Sequence, residues 1–352
     1  MFDCAKDVLS YHDDEVTLPR AEQKTMRGRR DANRTRLKDG LKNAGRPAPL
    51  NFDTQGSYAM RTMVQLPDKD WDIDDGVYFD ATDLTGEGGA ELTSLEARQR
   101  VRDAVDDGSF KKTPEVRTNC VRVFYGDGHR VDLPVYRVRI EKSASGRETT
   151  IVELASVEWK CSDAREVTDW FSEENEKQSP DTDNGRQLRR ITRLLKKYAR
   201  SRASWGDSIL CGFGITKLVT ECFGGSAIHE DESLVSTMRA IRDRLDRDLV
   251  IKHPVTPNET ITDGSADPRA RFFLDQIREA LAWLQILDDP SCTRAQALAA
   301  WDQVYATDYF SKRDETNARA TDAAAIAAPT ILTSRRQLAP PAVRREGGGR
   351  YA

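Results

Sequence analysis

Asp72 and Asp74, separated by one residue, are the pair in this chain best placed to do chemistry. They sit in Trp71-Asp72-Ile73-Asp74-Asp75-Gly76-Val77-Tyr78-Phe79, which alternates in its first half and is rich in β-formers in its second. That pattern predicts a strand. On a strand, residues i and i+2 share a face. Two carboxylates on one face repel, and a divalent cation removes that penalty. An all-oxygen donor set suits Mg2+, which keeps waters and also takes phosphate oxygens. Asp75 then points to the opposite face and is expected to be structural. Taken alone, the pair also describes a solvated acidic turn. It is not a calcium loop: counted from Asp72, loop position five is Gly76 and position six is Val77, where an acid and a glycine are required.

Two further features bear on the pair. Gly56-Ser57 lies just upstream; a glycine lets backbone approach a phosphate, and a serine adds a hydroxyl and an amide at a helix start. Asp132 stands between apolar neighbours in Val131-Asp132-Leu133, on a strand that could equally turn it to water. The spacing lets loop, acidic strand and second acidic strand meet on one sheet. Two metals held by three carboxylates can activate a hydroxyl and stabilise a leaving pyrophosphate.

The elements that must position these residues follow from pattern and punctuation. Thr17-Leu18-Pro19 reads as the start of a helix running to about Lys42 and ended by Asn43-Ala44-Gly45-Arg46-Pro47. Between Arg20 and Arg46 that stretch carries ten Lys/Arg against Glu22, Asp31 and Asp39, so it is expected to lie across the surface, either as a solvated face or as a positive field near a phosphate-rich ligand. Tyr58 to Gln65 continues as helix or turn, and Asp80 to Gly89 is a loop. Leu92 to Asp106 has helical spacing at Leu95, Val101 and Val105. Cys120 to Tyr125 and Arg130 to Val138 are strands joined by a Gly126-Asp127-Gly128 turn. After Glu158 the character is mostly helical. Ala164 to Phe171, Gln187 to Arg202, Leu218 to Cys222, Leu234 to Leu245, Phe272 to Leu287 and Arg294 to Tyr305 are the expected helices. In the second, Leu188, Ile191, Leu194, Leu195 and Tyr198 share one face. From about Thr321 the composition turns to Ala, Pro, Arg and Gly, a flexible tail.

Composition excludes several classes. No apolar run approaches the roughly 18 residues of a membrane span, and the N-terminus lacks a secretory pattern, so a cytoplasmic protein with no membrane partner is expected. The six cysteines form no Cys-x-x-Cys pair and read as reduced, mostly buried thiols. Four histidines argue against a multi-histidine metal site or a Ser-His-Asp hydrolase.

Taken together, Gln55-Gly56-Ser57-Tyr58 and Trp71-Asp72-Ile73-Asp74-Asp75-Gly76-Val77-Tyr78 resemble the signature of the cGAS/DncV-like nucleotidyltransferases, the bacterial CD-NTases of CBASS antiphage defence. Arg130-Val131-Asp132-Leu133-Pro134-Val135-Tyr136 is similar to their third-aspartate strand. Trp159-Lys160-Cys161-Ser162-Asp163, with Asp169-Trp170-Phe171 behind it, looks like their hinge, and Leu188 through Lys196 like the helix that carries a phosphate-contacting lysine. The resemblance spans roughly residues 50 to 220.

The resemblance implies an α+β fold: a polymerase-β-like core sheet with a long N-terminal spine helix, packed on a C-terminal helical domain. The divisions it implies are 1–158, 159–320 and a tail at 321–352. Asp72, Asp74 and Asp132 would hold two Mg2+, with Mn2+ as the alternative, and would be the catalytic set. Gln55, Gly56, Ser57, Ser162 and Lys196 would contact the donor nucleotide. The implied activity joins ATP and a second NTP, GTP first, into a cyclic dinucleotide, cGAMP above others, with release of pyrophosphate. An effector that senses the product, and an E1/E2-like enzyme that conjugates the Gly-rich C-terminus, are the implied partners. Two alternatives stay open: another polymerase-β-like transferase acting on RNA, a small molecule or a protein, and a non-catalytic nucleotide sensor. The chain departs from some relatives at Met60, which stands near an aromatic base-stacking position, and at Cys211-Gly212-Phe213-Gly214, which replaces a serine-rich helix start. No counterpart of a zinc thumb is present, so activation by duplex DNA is not expected.

Overall fold

The computed structural model describes residues 1–66, 71–143, 146–256 and 258–314. The expected tail at 321–352 lies outside them. Met1–Ser311 is one compact unit; a second begins at Lys312.

The first half of the unit is built around one strand. In chain order the elements are α1 (Ala5–Tyr11), α2 (Arg20–Asn43), β1 (Asn51–Gln55), the single turn α3 (Gly56–Ala59), β2 (Asp72–Asp80), α4 (Ser94–Val105), β3 (Glu115–Val116), β4 (Val121–Phe124), β5 (Arg130–Leu133), β6 (Val135–Lys142), β7 (Glu148–Ala155) and β8 (Trp159–Cys161). β2 is the hub. On one edge it pairs antiparallel with β1, placing Gln55 opposite Asp74. On the other it pairs in parallel first with β5, placing Asp74 opposite Asp132, and then with β6, placing Val77 opposite Val135. β5 and β6 are one course of chain interrupted at Pro134, which has no N–H to give the ladder. Its carbonyl still accepts the Val77 N–H at 2.8 Å. Antiparallel pairing extends the sheet through β4 and β3 beyond β5, and through β7 and β8 beyond β6.

The alternation of β2 decides what each face does. Ile73, Val77 and Phe79 bury into a cluster with Leu37 and Leu41 of α2 and Ala97 and Val101 of α4. Asp75 shares that face. Its buried carboxylate accepts from Arg34 of α2 at 2.7 and 2.5 Å and from Thr54 at 3.0 Å, which is why a charge survives there. The opposite face carries Asp72 and Asp74. The spine helix is amphipathic despite its charge, with Met26, Asn33, Leu37 and Leu41 buried. Thr93 starts α4 with a capping box closed by Glu96. Leu95, expected on the buried face of that helix, is exposed, and Ala97, Val101, Ala104 and Val105 make the contact instead.

The second half is helical: α5 (Ala164–Gln178), α6 (Gln187–Ala199), α7 (Gly212–Cys222), α8 (Glu230–Arg247), α9 (Pro268–Leu284) and α10 (Arg294–Tyr305). Leu188, Ile191, Leu194, Leu195 and Tyr198 of α6 are all buried, as their spacing requires. Leu194, Leu195 and Tyr198 join Leu218, Met238, Phe273, Ile277 and Trp301 in one large cluster. Cys4, Val8, Tyr11 and Val16 from the chain's first residues belong to this distant cluster. Among the described residues, no helix is long and apolar enough to cross a membrane.

Candidate functional site

Asp72 and Asp74 lie on the face of β2 that no helix of the first half covers. Gly56 makes room for them. A β-carbon at Gly56 would run into Asp74 Oδ2, and its φ of 67° is one that a glycine adopts without strain. Asp132 follows from register, opposite Asp74 on the neighbouring strand. Burial, then the charges of Asp72 and Asp132, hold the Asp74 carboxyl well above the ordinary value. Burial and Asp132 raise Asp72 in the same direction.

Arg130 and Arg122 oppose the negative charge at Asp72. Arg122 of β4, in register with Asp132, grips it with both arms of the guanidinium, at 2.8 and 2.6 Å, and approaches Asp72 at 3.9 Å. Among the described residues, the only metal-type donor group whose atoms lie within 4.8 Å of one another is Asp3, His229 and Asp231, none of which lines the cleft described below. The three aspartates stand wider apart than that, with Asp132 turned to Arg122. Three carboxylates on neighbouring strands, Asp74 and Asp132 in register and two of the three held above their ordinary range, with an arginine as stand-in cation, are an oxygen donor set that fits Mg2+.

The other expected residues reach the same place from separate elements. Gln55 ends β1; its Nε2 donates to the Tyr136 hydroxyl at 3.0 Å, so its amide is engaged on the same face of the sheet as Asp74. Ser57 opens α3. Ser162 follows β8. Asp163, not Ser162, caps α5, accepting the Arg165 N–H at 3.0 Å, which leaves the Ser162 hydroxyl without a partner among the described residues. Lys196 comes from α6, and its Nζ donates to Thr62 Oγ1 at 3.2 Å. Burial brings its pKa down to about 8 against the opposing pull of Asp72. Gly212 lets the start of α7 lie against this lysine: a β-carbon there would stand 2.9 Å from Lys196 Cε.

All eight residues line one cleft of about 1340 Å³, floored by the sheet and roofed by α5, α6 and α7. Met60 lines the same cleft but is almost wholly buried, packed with Phe171 and Leu188. Arg122, Arg200, Arg202, Phe213 and His253 also line the cleft and were not anticipated. Hairpin counting would have found the first, because a turn that pairs Tyr125 with His129 places Arg122 opposite Asp132. His253 had no local signal. Its Nδ1 accepts the N–H of Val255 at 3.4 Å and of Thr256 at 3.0 Å, so in the neutral ring the proton sits on Nε2. Phe213 packs edge-on to it, with ring centroids 5.4 Å apart.

Comparison with known proteins points the same way. Residues 50–136 match the family model described as the nucleotidyltransferase domain of cyclic GMP-AMP synthase DncV-like proteins. Vibrio cholerae DncV, a cyclic AMP-GMP synthase, is 14% identical with a TM-score of 0.67, over 88% of this chain and 97% of that one. Escherichia coli DncV in a 3'-deoxy GTP-bound form is 15% identical with a TM-score of 0.62, over 83% and 92%. CdnC of E. coli MS115-1, with ATP, is 16% identical with a TM-score of 0.61, over 87% and 98%. At these identities the structural likeness concerns the fold.

Proposed function

We propose that the chain is a nucleotidyltransferase of the cGAS/DncV-like family, whose domain model matches residues 50–136, and that it joins two nucleoside triphosphates into a cyclic dinucleotide with release of pyrophosphate. The observation that carries this reading is the convergence of Asp72, Asp74, Asp132, Gly56, Ser57, Ser162 and Lys196 on one cleft from five separate stretches of fold. V. cholerae DncV is described with ATP and GTP and with a linear pppA(3',5')pG intermediate. We extend that substrate pair here: ATP and GTP, giving a cGAMP.

In this reading Asp72, Asp74 and Asp132 would hold magnesium, which would supply charge compensation on the triphosphate and acidity at the attacking ribose hydroxyl. Asp132 would accept the proton of that hydroxyl, its carboxylate exchanging its contact with Arg122. Gly56 and Ser57 bring backbone amides and a hydroxyl to the donor's phosphates. Lys196 places a cation on the same phosphates from the helical side, and Ser162 adds a hydroxyl. The linear product then turns within the cleft, and its free hydroxyl attacks its own triphosphate. We further assign the product to antiphage signalling through an effector that senses it. The C-terminal residues 344–352, outside the described residues, are assigned to an E1/E2-like enzyme.

Incubating the full chain with labelled ATP, GTP and Mg2+ tests the reading. A phosphatase-resistant product of cGAMP mass is expected, and its disappearance in Asp72→Asn with Asp74→Asn. Labelled product only when RNA, an antibiotic or a protein acceptor is added, with none from all four NTPs, would replace it with the other transferase reading.

A further inference from the structure

Helix α6 turns a row of cations toward the segment that follows Gly56-Ser57. Arg189 Nε donates to the Met60 carbonyl at 3.0 Å, and Arg193 Nε to the Arg61 carbonyl at 2.7 Å. Lys196 then meets Thr62 at 3.2 Å, and Lys197 Nζ donates to the Gln65 carbonyl at 3.0 Å. The helix sets the order, because residues spaced by three or four share a face. The cleft end of the row is Lys196. The far end is different: Arg189 and Arg193, one turn apart, hold the carbonyls of Met60 and Arg61, which brings Arg61 beside them, and none of the three lines the cleft.

These three guanidiniums have no carboxylate partner among the described residues. The contrast is on the same helix. Arg190 is gripped by Asp181 at 2.6 Å and Glu230 at 2.9 Å. Arg189 instead spends Nη1 on the Gly185 carbonyl at 2.9 Å, and Arg193 Nη1 lies 3.4 Å from His12 Nε2. The His12 ring, engaged with Asp13 through Nδ1 at 2.8 Å, stands between Arg193 and that carboxylate, which opposes the lowering of the Arg193 pKa only in part. Arg193 is 9% exposed. Burial, then the charges of Arg189 and Arg61, push its pKa down to about 10. Burial and Arg61 lower Arg189 likewise. Arg61 is exposed and holds a left-handed backbone, φ 55°, which fixes its carbonyl on Arg193 while its side chain stays at the surface. Neighbouring guanidiniums with no carboxylate in direct contact are unfavourable, and their planar forks match the oxygens of a phosphate.

We propose that Arg61, Arg189 and Arg193 form a second anion site, behind the nucleotide cleft, that binds the phosphates of an oligophosphate, free or carried by a nucleotide. The bound anion would neutralise the arginines that hold the Met60 and Arg61 carbonyls, and so stiffen the turn leading from Gly56-Ser57. The site stands independently of what the cleft makes.

The test is calorimetric titration of the full chain with inorganic tripolyphosphate, in EDTA so that no divalent metal recruits it to the aspartates. Arg61→Ser is the informative variant because the side chain is exposed and the fold does not depend on it. Loss of one charged donor should weaken binding about tenfold or more. Lys196→Ala, which alters the cleft, should leave this affinity within about twofold. Equal affinity in wild type and Arg61→Ser, or loss in Lys196→Ala alone, overturns the proposal. Titration with ATP under the same conditions separates the sources. Tighter binding than tripolyphosphate assigns the site to a nucleotide, and equal binding to the free oligophosphate, with Arg61 required in both.

Discussion

Asp74 shows how a single carboxylate couples stability, pH and metal. Its carboxyl is held well above its ordinary value of 3.8, so the folded, metal-free protein binds that proton more tightly than the unfolded chain does. The group therefore stabilises the fold below the ordinary value, and the benefit is lost as pH rises through the raised one. A divalent ion competes with the proton for the same oxygens. Magnesium is accordingly expected to raise the melting temperature more at pH 8 than at pH 5.5, and Asp74→Asn to melt higher without metal and to lose the response. A thermal shift of equal size at both pH values would show that the ion binds elsewhere. At this scale the sequence was informative where chemistry and spacing coincide. Asp72 and Asp74 share a face because strands have a period of two, and Asp75 falls to the other side for the same reason. Arg200, Arg202 and His253 were invisible, because they reach the cleft from stretches with no local pattern.

The elements are held in register by polar ties as much as by apolar contact. Arg34 of α2 and Asp75 of β2 are the clearest case: the carboxylate is fully buried and the guanidinium about a quarter exposed. Removing one partner of such a pair leaves a buried charge uncompensated, at a cost of about 3–5 kcal/mol. Arg34→Met should therefore lower the urea midpoint sharply, and adding Asp75→Asn should recover part of the loss. If the double variant is no more stable than Arg34→Met, the tie is not the cause. Elements with a strong period were legible: α6 from its apolar face, α10 to the residue, and β2 from its alternation. Those missed are short or two-faced. β7 mixes Glu148, Thr149, Thr150 and Glu153 with Ile151, Val152 and Leu154, so burial on its inner half was not separable from an exposed loop. α1 has only seven residues, and its apolar positions acquire meaning through partners almost 300 residues away. The expected strand from Arg130 to Val138 is real but divided, because Pro134 cannot donate to the ladder.

At the scale of the molecule, two apolar clusters share the cleft between them, and the chain's first residues belong to the one built mainly from its last helices. The Tyr11 ring lies 4.5 Å from that of Tyr305, 5.2 Å from Tyr309 and 5.0 Å from Phe310, centroid to centroid. Truncating a large buried aromatic costs about 3–5 kcal/mol, so Tyr11→Ala should destabilise the helical half markedly in denaturant unfolding. An unchanged midpoint would mean that this N-terminal segment is only draped over the surface. The same closure has a consequence for synthesis. Phe2 N–H donates to the Leu287 carbonyl at 2.6 Å, and Cys4 N–H to Asp231 at 2.7 Å. A ribosome therefore releases the opening helix long before its partners exist, and vectorial folding cannot finish the domain piece by piece. Contacts this distant in sequence slow the search for the native state. The cluster that seats roof helix α6 is complete only when residues near 310 have emerged, so a polypeptide interrupted earlier carries the three aspartates under a roof whose packing is unfinished.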